Sequence, residues 1–116
     1  PNSPLLAEAS ECVSDLGGND AFWKFSDAVF ENKEKLADLD YAANLLGVDA
    51  KDLNQCFQSR KYKDKVQSSF DAGLKAGISV TPSSFVMNAK GEAWFIPGAY
   101  SYEDLKVILE EAIKSS

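Results

Sequence analysis

The 116-residue chain contains no histidine, and this absence excludes several kinds of site within it. Ser-His triads, Cys-His dyads and His-ligated metal centres all need an imidazole. The chain has only two cysteines, which cannot form a four-ligand zinc site by themselves. The sequence therefore predicts neither a metal site nor a cofactor in this chain.

Long hydrophobic runs and a strong positive charge are missing as well. The apolar runs are a few residues long, whereas a membrane-spanning helix needs about 20. The net charge is −6, and affinity for nucleic acid depends mainly on basic side chains. The nearest basic cluster is Arg60, Lys61, Lys63 and Lys65, and the pattern is typical of a solvated helix face. We therefore expect no membrane span and no nucleic-acid binding.

The N-terminus has no initiator methionine and no signal peptide, since the chain begins Pro1-Asn2-Ser3-Pro4. We expect a processed product or an excised piece of a longer protein. Hydrophobic residues make up 45% and charged residues 26%, as in a soluble globular domain.

What the sequence does contain is a series of helix signals. Ser3-Pro4 suits a helix start, and Gly17-Gly18 suits its end. Apolar periodicity and caps predict further helices over about 20–31, 34–46, from Asp49 onward, and over 61–75. The aromatic residues of the second helix (Phe22, Trp23, Phe25 and Phe30) could line a peptide groove, but their density favours the core, where we expect them to lie.

After Gly77 the apolar period changes from that of helices to that of strands. Residues 84–87 and 93–96 predict a β-hairpin around a turn at 88–91. The run 94–96 fits either a central sheet with two buried faces or an exposed apolar patch. Ser101 and Asp104 predict the cap of a last amphipathic helix. The predicted fold class is α+β, mostly α.

A series of short segments occurs in a fixed order along the chain. The segments are Pro1-Asn2-Ser3 before Ala7-Glu8-Ala9-Ser10-Glu11-Cys12; Phe22-Trp23 with Val29-Phe30-Glu31-Asn32; Leu46-Gly47-Val48-Asp49, Cys56 and Lys61-Tyr62; Ala76-Gly77-Ile78-Ser79-Val80-Thr81-Pro82-Ser83-Ser84-Phe85-Val86; and Gly98-Ala99-Tyr100. Each motif is weak alone, but their order and spacing together are specific. This order resembles that of the DsbA-like thiol–disulfide oxidoreductases, and the resemblance covers nearly the whole chain.

The resemblance implies a thioredoxin-like fold with an inserted helical domain. Residues 1–77 would be that helical domain, and residues 78–116 would be the C-terminal part of the thioredoxin-like domain. The family's redox Cys-x-x-Cys motif would lie before Pro1, so we expect no catalytic residue and no oxidase activity in this chain. The resemblance also implies an extracytoplasmic location, in the periplasm or cell envelope, and extended or unfolded proteins as substrates.

The same resemblance assigns the substrate-binding residues. In the thioredoxin fold, a cis-proline loop precedes the hairpin, and the residue before the proline pairs its backbone with the substrate. This implies a cis bond between Thr81 and Pro82, and Val80, Thr81 and Pro82 as the substrate-binding residues.

Cys12 and Cys56 each lie on an apolar helical stripe and are too far apart in sequence to form a Cys-x-x-Cys pair. Three interpretations stay open: a structural disulfide, two buried thiols and a redox-active pair. An extracytoplasmic protein favours the disulfide, because disulfides persist in oxidising compartments.

Two other functions also stay open. One is a non-catalytic module that binds extended peptides. The other is a relative of the kappa-class glutathione transferases and isomerases, whose active-site Ser would again lie before Pro1. Because the family's strand that pairs with the hairpin would also lie before Pro1, we expect an open edge near Val86 and association with a second copy or a partner chain.

Overall fold

The structure, a computed structural model, describes residues 3–116 and has the predicted α+β, mostly α architecture. The first two residues of the quoted motif order, Pro1-Asn2, lie outside the described residues. The elements are α1 (Ser3–Asn32), the 3-10 helix η1 (Lys33–Ala37), α2 (Leu39–Leu46), α3 (Ala50–Gln58), α4 (Lys63–Lys75), β1 (Ser83–Met87), β2 (Ala93–Pro97) and α5 (Tyr102–Ser115).

The chain divides into two compact units, one ending at Ser69 and the other running over Phe70–Ser116. We refer to the described part of the first, residues 3–69, as the helical unit and to residues 70–116 as the hairpin unit. The division lies inside α4, whereas the sequence predicted a domain boundary after residue 77.

Helix α1 is kinked at the predicted helix end. Gly18 has φ 77° and ψ −166°, which breaks the helical geometry between two helical arms. A positive φ of this size favours glycine, which has no Cβ to clash. Gly17 serves a different purpose, because a Cβ there would lie 2.6 Å from the Ala21 Cβ and 2.8 Å from the Val48 Cγ1. Glycine at residue 17 therefore permits close packing, and glycine at residue 18 permits the kink.

The single helix predicted over 34–46 is wrong, because Asp38 divides it. Residues 33–37 form a 3-10 turn, and α2 begins after Asp38. The Tyr41 N–H donates to Asp38 Oδ1 at 3.0 Å, so Asp38 caps α2. Gly47, with φ 68°, ends this helix as predicted. Asp49 caps α3 by accepting from the Asp52 N–H at 3.0 Å, also as predicted.

The core of the helical unit lies between α1, α2 and α3. Leu53 and Val13 have no exposed surface. The buried cluster comprises Cys12, Val13, Ala21, Phe25, Ala43, Leu46, Leu53 and Cys56. Burying side chains of this size stabilises the fold by about 1.5–3 kcal/mol for each large aliphatic or aromatic residue.

In the hairpin unit, β1 and β2 pair antiparallel, with Phe85 opposite Phe95. The Gly98 N–H donates to the Pro82 carbonyl at 2.8 Å. The backbone groups of even-numbered residues of β1 therefore bond to β2, and the N–H and C=O groups of odd-numbered residues point away from β2. This pattern explains why β2 extends to Pro97: its missing N–H would point away from β1.

Helix α5 contacts both strands, and Ser101 caps it as predicted by accepting from the Asp104 N–H at 3.1 Å. Ile96 and Ala112 are buried, at 2% and 4% exposure, so α5 covers the sheet face that carries Ile96. At the turn, the Asn88 Oδ1 accepts from the Lys90 and Glu92 amides at 3.0 Å. This Asx-type turn sets the register of the hairpin.

Candidate functional site

The loop between α4 and β1 holds the three residues predicted to bind substrate. Val80, Thr81 and Pro82 are all exposed. The peptide bond between Thr81 and Pro82 is cis, as predicted. The hydrogen bond from Gly98 to the Pro82 carbonyl extends the hairpin ladder by one pair. The ladder therefore holds the end of the loop against β2.

Thr81 presents an unpaired backbone at this position. Within residues 3–116, neither its N–H nor its C=O has a hydrogen-bond partner, whereas both neighbouring carbonyls are used. The Val80 carbonyl accepts from the Ser83 hydroxyl, and the Pro82 carbonyl accepts from Gly98. An exposed amide and carbonyl next to a strand can pair with an extended polypeptide, as in strand addition.

The outer edge of β1 follows directly after this loop. Ser83, Phe85 and Met87 direct their N–H and C=O groups away from β2, and in the described part of the chain no third strand pairs with them. This edge includes the region near Val86 that the sequence predicted to be open. An unpaired edge of this kind is a template for another strand.

One face of the hairpin is apolar and exposed. The rings of Phe85 and Phe95 stack with their centroids 4.8 Å apart and are 49% and 41% exposed. Met87, on the same face, is 69% exposed. Trp94 and Ile96 point to the opposite face, which α5 covers. Neither explanation left open for the run 94–96 holds in full, because Ile96 is buried on the covered face and Phe95 is exposed on the other.

Cys12 of α1 and Cys56 of α3 form a disulfide, with their Cα atoms 5.9 Å apart. Their exposures are 1% and 8%, so the bridge is part of the helical core. Free thiols at these two positions are thereby excluded. A buried disulfide surrounded by apolar side chains is also poorly accessible to an attacking thiolate, because exchange rates depend on access.

Three ion pairs join α1 to the first turn of α4 and to the segment that precedes it. The Arg60 Nε and Nη2 donate to the two carboxylate oxygens of Glu8 at 2.7 and 2.8 Å. The Lys61 Nζ lies 2.7 Å from an oxygen of Asp15, and the Lys65 Nζ lies 2.6 Å from an oxygen of Glu11. We refer to these six residues as the charge clamp.

The charge clamp shifts the titration of its members. The hydrogen bond from Arg60 lowers the pKa of the Glu8 carboxyl. The hydrogen bond from Lys61 lowers the pKa of Asp15, and the Tyr62 hydroxyl acts in the same direction. Hydrogen bonds to carboxylates raise the pKa of Lys61 and Lys65. In each case the interaction favours the charged form of the group.

Arg60, Lys61 and Lys65 are exposed, as expected for a solvated face, but each is also paired with a carboxylate of α1, which was not predicted. The signal was present in the sequence. Glu8, Glu11 and Asp15 are spaced by three and four residues, which places them along one helix face. The pairing itself could not be predicted, since Glu8 and Arg60 are 52 positions apart in the sequence.

The expectation that all the aromatic residues of the second helix are core is also wrong. Phe25 is 5% exposed and belongs to the core cluster, and Phe22 is half-buried with its ring edge against Trp23. Trp23 and Phe30 are 58% and 89% exposed. A helix that packs on one side leaves the residues on its other side exposed, whatever their hydrophobicity.

In residues 3–116, no group of three or more acidic or cysteine side chains is arranged to hold a metal ion. None of the helices in the same range is long and apolar enough to span a membrane.

Comparisons with protein-family models, with curated proteins and with solved structures found no match to this chain.

Proposed function

We propose that this chain is the substrate-binding part of a DsbA-like thiol–disulfide oxidoreductase that acts on extended extracytoplasmic polypeptides. One observation carries the proposal: the exposed, unpaired backbone of Thr81, fixed at the entrance of β1 by the bond between Pro82 and Gly98. The motif order of the sequence supports it, and so does the arrangement of a loop, a hairpin and a covering helix.

In this proposal, Thr81 binds the substrate backbone and the chemistry takes place on cysteines outside this chain. Disulfide exchange needs a thiolate that can reach the substrate sulfur. Cys12 and Cys56 do not meet this need, because they form a buried bridge. The chain alone is therefore expected to bind polypeptides without oxidising or reducing them.

A binding measurement with backbone variants tests this role. Reduced, S-carboxymethylated α-lactalbumin serves as the unfolded probe, and its affinity is measured by fluorescence anisotropy. Thr81→Pro removes the N–H donor and is expected to weaken binding about fivefold, since a hydrogen bond is worth about 1 kcal/mol. Thr81→Val is the matched control, because it changes the side chain and keeps the amide. Equal affinities of all three proteins would contradict the proposal.

The residues encoded immediately before Pro1 separate the candidate enzymes. A Cys-x-x-Cys motif there supports the oxidoreductase, and a Ser in its place supports a relative of the glutathione transferases. The absence of both favours a non-catalytic peptide-binding module. The observation that supports a non-catalytic module is that the only two cysteines in the chain are buried.

The outer edge of β1 is proposed to pair with another strand, either from a partner chain or from a second copy. The outward-facing groups of Ser83, Phe85 and Met87 make this possible. The chain alone is expected to dimerise at high concentration, as measured by light scattering. Met87→Pro removes an outward N–H and should reduce dimerisation while keeping the hairpin. A strictly monomeric wild-type chain would contradict this part of the proposal.

A further inference from the structure

A cavity of about 470 Å³ opens into the helical unit. Val13 and Leu53, which have no exposed surface, form its floor. Leu5, which is 52% exposed, and Ala37, which is also exposed, lie at its rim. Its size falls within the range of small-molecule sites, about 300–1,000 Å³, and its lining is apolar like theirs.

The polar groups of the cavity restrict the chemistry of its ligand. Lys33 and Glu34 are the ionisable residues that line it, and their charges cancel. Among the described residues, no buried side-chain nitrogen or oxygen lacks a hydrogen-bond partner. The cavity therefore offers no net charge to attract an ion and no buried polar group to pair with one. Moving a charged group onto its apolar floor would be strongly unfavourable.

We propose that this cavity binds one uncharged, mainly aliphatic molecule, with its single polar group beside Lys33 and Glu34. A methylene group occupies about 30 Å³, close to the volume of one water molecule in the liquid. The cavity thus accommodates a chain of about fifteen carbons or fewer. The ligand's hydrocarbon lies against Leu6, Leu36 and Phe57, and its terminal hydroxyl or ester reaches the rim.

The charge selectivity of the cavity is the direct test. The full chain, with ¹³C-labelled leucine and valine methyl groups, is titrated with 1-decanol and with decanoate at neutral pH, both below their solubility limits. Saturable shifts of the Leu6, Leu36 and Leu53 methyl groups are expected with decanol, and decanoate should bind at least tenfold more weakly. Absence of saturable shifts with decanol, or equal or tighter binding of decanoate, would overturn the proposal.

A pair of variants locates the site. Ala37→Phe fills the mouth from an exposed position and is expected to weaken decanol binding at least tenfold. Lys35→Glu is the control, because Lys35 lies in the same 3-10 helix and does not line the cavity. An equal effect of the two variants would contradict the assignment. If Ala37→Phe fails to fold, the comparison of decanol with decanoate on the wild-type chain still decides the question.

Two other occupants are outcomes of the same experiment, and either one would overturn the proposal. A second copy of the chain would shift these methyl groups with protein concentration in the absence of ligand. A polypeptide segment would be indicated if carboxymethylated α-lactalbumin shifted them and decanol did not.

Discussion

Arg60, the only arginine in the chain, forms a two-point ion pair with Glu8, the buried carboxylate of the described residues. The planar guanidinium matches both carboxylate oxygens at once, which a lysine ammonium cannot do. The Glu8 side chain is 9% exposed, so most of its surface has lost contact with water. This pair holds the segment that precedes α4 against α1.

Replacing Arg60 with lysine is expected to lower the Tm, because the charge is kept while the second hydrogen bond to Glu8 is lost. Lys61→Arg is the matched control: its partner Asp15 is more exposed, and the Tm should stay nearly unchanged. Differential scanning calorimetry on both variants compares them. A fall in Tm of the same size for both would show that the two-point geometry at Arg60 contributes nothing.

Stability should fall at both ends of the pH range. The lowered pKa values of Glu8 and Asp15 mean that these groups stabilise the folded state above their unfolded pKa values, about 4.3 and 3.9. That contribution is lost as the pH falls below about 4. The raised pKa values of Lys61 and Lys65 act in the opposite sense, so their contribution is lost as the pH rises above about 10.4.

Denaturant unfolding between pH 2 and 6 checks the acid side of this prediction. Asp15→Asn removes one of the titrating groups and should flatten the dependence of the unfolding free energy on pH. A variant with the same acid dependence as the wild type would contradict the assignment to the charge clamp.

The disulfide is expected to stabilise the chain substantially. Cys12 and Cys56 are separated by 44 positions, and closing a loop of this length restricts the unfolded chain by about 4 kcal/mol in the entropic description. The double variant Cys12→Ala, Cys56→Ala should lose about 2–5 kcal/mol of unfolding free energy. Urea unfolding in the presence of dithiothreitol, which reaches the bridge once the chain unfolds, should give a lower unfolding free energy for the wild type and leave that of the double variant unaffected. A wild-type chain that is insensitive to the reductant would contradict this prediction.

The sequence was sufficient where a single residue determines the local structure. The caps at Asp49 and Ser101, the stop at Gly47 and the hairpin turn at Asn88 were all predicted from local chemistry. Local patterns were insufficient at Asp38, where apolar periodicity continued through a residue that begins a new helix.

Contacts between residues that are distant in sequence were harder to predict than local structure. With only two cysteines in the chain, just one intramolecular disulfide could form, so the sequence could propose it. Glu8 could have paired with any of the basic residues, and periodicity does not distinguish between them. The exposure of Phe30 was missed for a related reason, since hydrophobicity alone does not show which side of a helix packs.

Two glycine-to-alanine substitutions should change stability in opposite directions. At Gly17, the added methyl group meets Ala21 and Val48 below 3.0 Å, and overpacking of this kind costs about 1–3 kcal/mol. At Gly73, in α4, an added Cβ meets no atom within 4 Å, so alanine should stabilise by about 0.5–1 kcal/mol through its helix propensity. Urea unfolding of both variants checks the signs, and a stabilised Gly17→Ala chain would contradict the packing described here.

The most direct test of the proposed function is to map where an unfolded polypeptide touches this chain. The ¹⁵N-labelled protein is titrated with reduced, S-carboxymethylated α-lactalbumin, and the amide shifts are followed by NMR. We expect the largest saturable shifts at Val80, Thr81 and Ser83. Saturable shifts confined to the helical unit, with Thr81 unchanged, would contradict the proposal.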